Sequence, residues 1–153
     1  MNDRPQVPAL VPREAATSYV SRLAAHNWVD AATFSIDKET SFQRVIDGSP
    51  EAFEAMADFG VSVPAEVLAW STSKCEGHRR QFRGHFFPSK VLQASQMRGC
   101  PICLKADASK ARGRPHLAMA MRGHWLVPHV TLCLEHEHPL VPLWQDPTPY
   151  TRF

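Results

Sequence analysis

Helical periodicity confined to residues 13–70, knuckles of the form C-x-x-C at 100–103 and C-x-x-H at 133–136, and short β-branched runs around them predict an α+β chain, mostly α. In this reading a small N-terminal helical subdomain, residues 1–73, packs on a basic, zinc-ribbon-like Cys₃His subdomain with short strands, residues 74–153, the two forming one compact domain. A length of 153 residues suits one such unit. With 44% hydrophobic and 21% charged residues the chain can bury a core, and its 13 prolines favour short elements over long helices.

The elements follow in order. Pro5, Pro8 and Pro12 make residues 1–12 an extended arm. From Arg13 to His26, Tyr19, Val20, Leu23 and Ala24 form an apolar stripe, with Ser21, Arg22 and Ala25 facing away. Asp30 starts a short helix through Phe34, and Ser41 to Ile46 forms another with Phe42, Val45 and Ile46 inward. Ser49 as N-cap, Pro50 at the first helical position, Glu51 in the first turn and Gly60 beyond the last turn bracket a fourth helix, its stripe carried by Phe53, Met56, Ala57 and Phe59. Ser62 and Pro64 repeat the start signal for Ala65 to Trp70. Residues 79–88 read as a strand with Phe82 and Phe86 on one face. Val91 to Met97 reads as a short helix, Lys105 to Ala111 as a weak one ended by Arg112-Gly113-Arg114-Pro115, and His129 to Val141 as strand.

Net charge is only +2, but it averages unlike segments. Residues 1–73 hold five basic and ten acidic side chains, residues 74–129 eleven basic against Glu76 and Asp107, and residues 130–153 one basic against three acidic. The local excess of +9 in the middle segment creates a field that attracts phosphates or an acidic protein face. Arg79, Arg80, Arg83, Lys90, Arg98, Arg112, Arg114 and Arg122 are the candidate nucleic-acid contacts, with Lys105 and Lys110 beside them. Phe82, Phe86 and Trp125 lie among these cations, where they serve either as base-stacking platforms or as core. No apolar run approaches the length of a membrane span and no secretory leader is visible, which makes the cytoplasm the expected compartment. In that reducing setting cysteines serve as thiols or metal ligands.

Cys100-Pro101-Ile102-Cys103 and Cys133-Leu134-Glu135-His136 carry the strongest chemical signal. A tight turn places the first and fourth side chains of a knuckle on one side of the backbone, where both reach one ion. Two such pairs make the Cys₃His set of a structural Zn2+ site. The gap between them is too long for a ββα DNA-reading finger, yet loop closure costs only roughly 0.6 kcal/mol per doubling of length. His136 has the pair spacing; His138 would replace it if the second knuckle were wider. Cys75 reads as a buried free thiol. Three thiolates and an imidazole fill a tetrahedral shell and leave no open catalytic position. H-E-x-x-H, the deaminase order H-x-E before P-C-x-x-C, P-loop, G-x-G-x-x-G and G-x-S-x-G patterns are absent, and the only asparagines, Asn2 and Asn27, do not serve an HNH-type nuclease. The chain therefore reads as no enzyme.

Arg98-Gly99-Cys100-Pro101-Ile102-Cys103-Leu104, then His124-Trp125, then Val130-Thr131-Leu132-Cys133-Leu134-Glu135-His136 with Pro139-Leu140, resembles the zinc-binding core of TniQ-domain proteins, accessory proteins of transposons. Pro12-x-Glu14 followed by Ser18-Tyr19-Val20-Ser21-Arg22-Leu23-Ala24 is similar to the family's opening segment. The resemblance spans roughly residues 8–143 and is to a short form covering the N-terminal zinc-containing core. It implies ligand roles for Cys100, Cys103, Cys133 and His136, a part in target-site selection, and DNA, an AAA+ transposition regulator or another targeting protein as partners. It brings no catalytic residue. The alternative is a shortened or domesticated relative that binds only proteins, a homo-oligomer held by the acidic segment of one copy against the basic segment of another.

Overall fold

The protein's structure, a computed structural model, describes residues 6–92 and 95–146. Five short helices come first: α1 (Ala16–His26), α2 (Ala31–Ile36), α3 (Phe42–Ile46), α4 (Pro50–Asp58) and α5 (Ala65–Ala69). Local signals explain their starts. The Asp30 carboxylate accepts the Thr33 N–H at 2.9 Å and the Ser41 hydroxyl accepts the Arg44 N–H at 3.3 Å, so both cap helices as their sequence positions predict. Ser49 sits at the N-cap of α4, but its hydroxyl donates to the Glu51 carboxylate and caps no backbone group. The stripe of α1 meets Phe34, Phe42, Val45, Ile46, Met56 and Val67 in one apolar core.

The strand expected over 79–88 is two strands. β1 (Ser73–Cys75), β2 (Arg79–Phe82) and β3 (His85–Pro88) form an antiparallel sheet in sequence order. Arg83 and Gly84 both have positive φ, 51° and 80°, which gives a two-residue turn whose twist suits a hairpin. The turn separates Phe82 from Phe86: Phe82 is buried in a small cluster with Leu92 and Val127, while Phe86 is 58% exposed. Of the helix expected over 91–97, residues 93–94 lie outside the described residues and the rest holds no α-helix. A 3₁₀ turn (Ser89–Val91) leads toward β4 (Gln96–Gly99), which pairs antiparallel with β5 (Val141–Gln145) across a bulge between Met97 and Arg98. That partner lies more than forty residues away, so local periodicity carries no trace of it. Between them, α6 (Pro101–Ser109) begins inside the first knuckle rather than at Lys105, because Pro101 occupies its first position. Of the strand expected over 129–141, only Val141, the first residue of β5, lies in a strand; the rest contributes an isolated bridge, Leu132 with Pro139.

Met97, Met121, Trp125, Leu140 and the three knuckle cysteines form a second core. Backbone and buried polar groups join it to the helical part. Met121 accepts from the Ala15 N–H at 3.0 Å, its own N–H donates to the Ser18 hydroxyl at 2.9 Å, and the Gly123 N–H donates to Arg13 at 2.8 Å. A Cβ on Gly123 would lie 1.7 Å from the Trp70 carbonyl oxygen, so only glycine lets the two backbones approach this closely. Arg22, expected to face away from the core, is buried. It pairs with Glu14 at 2.7 Å and donates to Leu117 O at 3.0 Å, while the Ser18 hydroxyl donates to the other Glu14 oxygen at 2.8 Å. Burial pushes the Glu14 carboxyl above its ordinary range, against the pull of Arg22 and Ser18. Among the described residues no helix is long and apolar enough to cross a membrane.

Two expectations follow from this seam. Arg22→Met leaves Glu14 buried without its cation and should cost about 3–5 kcal/mol in urea unfolding at neutral pH. Glu14→Gln combined with Arg22→Met should recover part of that loss, which a double-mutant cycle measures. His124, buried edge-on between Trp70 and Trp125 at 6.0 Å from each ring, has neither ring nitrogen hydrogen-bonded among the described residues. Burial, aided by Arg13 and Arg122 and opposed by Glu135, pushes it down to about 4 from 6.5. Between those values the unfolded chain takes up a proton that the folded chain refuses, so this histidine's contribution is lost as pH falls from 6.5 towards 4. His124→Phe should flatten stability against pH in that window by up to about 1.4 kcal/mol per pH unit, measured against wild type in matched denaturant titrations.

Candidate metal centre

The first knuckle is built by the start of α6. Cys100 occupies the N-cap with extended backbone, Pro101 opens the helix, and Cys103 falls in its first turn. The second knuckle is the tip of a narrow loop closed by the Leu132–Pro139 bridge. There the Cys133 N–H donates to His138 O at 2.9 Å, the Glu137 N–H donates to Cys133 O at 3.0 Å, and Glu137 takes a positive φ of 51° to turn the chain. The two tips meet. Cys100, Cys103, Cys133 and His136 place one donor atom each within 4.8 Å of one another, with the three cysteines buried and His136 exposed.

The donor spacing is a test of fit. Cys103 Sγ lies 3.5 Å from Cys133 Sγ and 3.3 Å from His136 Nδ1, while Cys100 Sγ and Cys133 Sγ each lie 3.7 Å from that nitrogen. For ion–sulfur bonds near 2.3 Å and ion–nitrogen bonds near 2.0–2.1 Å, tetrahedral edges are about 3.8 Å between sulfurs and about 3.6 Å between sulfur and nitrogen. The side chains therefore already stand close to the corners of a coordination tetrahedron. His138 is outside the set: its Nδ1 lies 2.7 Å from Pro139 O. Cys75 lies on β1, half-buried, its Sγ 3.7 Å from Ser73 O.

Glu135 lies beside the site. Its Oε2 is 3.3 Å from Cys103 Sγ and its Oε1 is 3.7 Å from Arg13 Nη1. Such outer partners orient ligands, and this one links the knuckle to the seam. The thiols differ before any ion is considered. Burial, Cys133 and Glu135 push the Cys103 thiol up. Burial also opposes ionisation of Cys133, but the N–H groups of Glu135 and His136, with the His136 ring and Cys103, outweigh it and bring that thiol down to about 7. Of these two thiols Cys133 ionises the more readily, as a metal-binding thiolate must.

The family model described as TniQ matches residues 5–140. The chain belongs to the TniQ family. No curated protein and no solved structure matches it. Membership points to an accessory role in transposition, in a family whose domain is generally not an enzyme.

In this TniQ chain the eight expected nucleic-acid contacts divide by burial. Arg80 and Arg122 are inside. Arg80 pairs with Asp47 at 2.6 Å and donates to Ile46 O at 2.9 Å. Arg122 pairs with Asp107 through both terminal nitrogens and donates to Ala120 O at 2.7 Å. Both guanidiniums are buried against carboxylates. Arg98 is half-buried and donates to the carbonyls of Pro128 and Val130 at 2.5 and 3.1 Å. Arg114 is half-buried, bonded to Ala25 O at 3.2 Å and stacked 3.8 Å from the Trp28 ring centroid. Arg79, Arg83, Lys90 and Arg112 are exposed. Trp125 is core at 2% exposure, so of the three aromatics only Phe86 offers a face to solvent. Asp107, Glu14 and Glu135 have structural roles that spacing did not flag; the signal available was that Asp107 is one of only two acids in a segment with eleven cations.

Cys103→Ser should bring the bound metal below a tenth of one ion per chain after dialysis against a mild chelator. It should also abolish the near-ultraviolet circular dichroism of Trp125, because the second core is organised around the cysteines. Metal content unchanged in this variant would remove Cys103 from the ligand set.

Proposed function

We propose that this TniQ-family chain is a non-enzymatic, zinc-stabilised accessory protein of DNA transposition, one that binds DNA through its basic hairpin and works with an AAA+ transposition regulator. The observation that carries the reading is the convergence of Cys100, Cys103, Cys133 and His136 at tetrahedral spacing on knuckles that belong to this family. Three thiolates and one imidazole suit Zn2+ among the common ions, and four protein donors leave no position for a reacting water. The metal's chemistry here is folding.

The hairpin supports the DNA half. Arg79 lies over the exposed Phe86 ring at 5.4 Å, Arg83 lies over Trp70 at 4.4 Å, and Lys90 follows β3. Cations held against rings with an aromatic face open to solvent are the elements of a backbone-tracking, base-stacking surface. The burial of Arg80 and Arg122 favours a second reading, protein binding without DNA contact, since it removes two cations from the expected phosphate set.

Purified protein should contain one zinc per chain by plasma emission spectrometry. Its affinity for duplex DNA should fall steeply between roughly 50 and 200 mM salt. Arg79→Gln with Arg83→Gln should lower that salt slope by about 2, near 0.9 for each phosphate no longer neutralised, while circular dichroism stays unchanged. Absence of DNA binding at low salt selects the protein-binding reading.

A further inference from the structure

A groove of about 710 Å³ runs between the arm at residues 6–12 and the segment from the end of α6 to Ala118. Its two walls differ in chemistry. Leu10, Val11 and Pro12 supply an apolar wall on the arm side, where Leu10 is 52% exposed. Lys110, Arg112 and Arg114 supply a basic wall opposite. Arg22 and Arg122 also line it, but Glu14 and Asp107 neutralise them. No carboxylate among the described residues forms an ion pair with Lys110, Arg112 or Arg114. The rim is fixed in advance: Arg114 is held by Ala25 O and stacked on Trp28, which is 76% exposed and takes a left-handed backbone at φ 64°.

We infer that this groove takes an extended segment of a partner protein in which apolar side chains alternate with carboxylates. Charge complementarity carries the choice: the unneutralised cations stand on one wall only, and the facing wall is apolar, so alternate side chains of an extended strand meet each wall in turn. A nucleic-acid backbone would meet the cations but carries no alternating apolar side chain for Leu10 and Val11. The arm belongs to no sheet among the described residues. The inference rests on the partner-binding half of the function proposed above and is independent of DNA binding by the hairpin.

The test uses the zinc-loaded full chain, ¹⁵N-labelled and titrated with an acetylated, amidated octapeptide of alternating glutamate and leucine. Parallel titrations use the glutamine counterpart and an oligothymidylate of equal length. Amide shifts confined to Leu10, Val11 and residues 110–118, with a Kd below about 1 mM, are expected. Binding should weaken at least tenfold for the glutamine peptide and for the exposed pair Lys110→Glu/Arg112→Glu. The hairpin variant Arg79→Gln/Arg83→Gln should keep peptide affinity within about threefold, which separates the groove from the hairpin. No shifts at millimolar peptide, equal binding of the glutamine peptide, or displacement of the peptide by oligothymidylate would each overturn the proposal. So would concentration-dependent shifts of the same amides without peptide, which place a second copy in the groove. A chain that binds peptide but not DNA refutes the hairpin reading and leaves the groove standing.

Discussion

The chain between the knuckles leaves the donor cluster at Cys103 and returns at Cys133, and this closed loop carries nearly every bond that ties the second core to the helices. Leu117 O holds Arg22, Met121 exchanges hydrogen bonds with Ala15 and Ser18, the Gly123 N–H meets Arg13, and Arg114 reaches Ala25. Free in solution, a loop of 29 residues would lose about 3 kcal/mol of entropy on having its ends joined. Four donors on one ion would offset that cost several times over, since a structural zinc of the kind proposed contributes about 10 kcal/mol or more. The seam is thus downstream of the metal site.

Polarity at that seam is a choice with consequences. Glu14–Arg22 and Asp107–Arg122 are withdrawn from water, and such pairs add little net stability compared with apolar residues of similar size. What they impose is register. Arg22 reaches across to Leu117 O, so a shift of one residue along the loop would strand its charge in the interior, while Arg122 donates to Ala120 O and fixes the loop's own fold. Apolar surfaces alone would permit the two parts to slide, whereas these bonds allow one docking. Gly123 adds a steric version of the same restriction against Trp70.

The sequence was most legible where the deciding forces are local. Asp30 and Ser41 announce their helices because a capping oxygen acts on an amide three residues away. The knuckles announce themselves because metal geometry requires that spacing, and the TniQ resemblance rested on the same residues. Legibility failed where the partner is distant or the signal is a single dihedral. Gln96–Gly99 is a strand only because Val141–Gln145 lies beside it. The hairpin was hidden in an Arg-Gly pair, a less familiar bearer of two positive φ angles than Asn-Gly. Charge counting reported that residues 74–129 are basic, but it could not see that Asp47 and Asp107 draw Arg80 and Arg122 indoors.

The contact of Ser18 with Met121 spans 103 residues. On a translating ribosome, which adds about 5–20 residues per second, α1 would emerge about 5 to 20 s before the residues that bury its polar face. For that interval Glu14, Ser18 and Arg22 are solvated and the helical core stands with one side open. Completion waits for the second knuckle, because Met121 and Gly123 are placed by a loop whose far end is Cys133. The order of synthesis therefore delays metal capture, and the seam that depends on it, until the second knuckle has emerged.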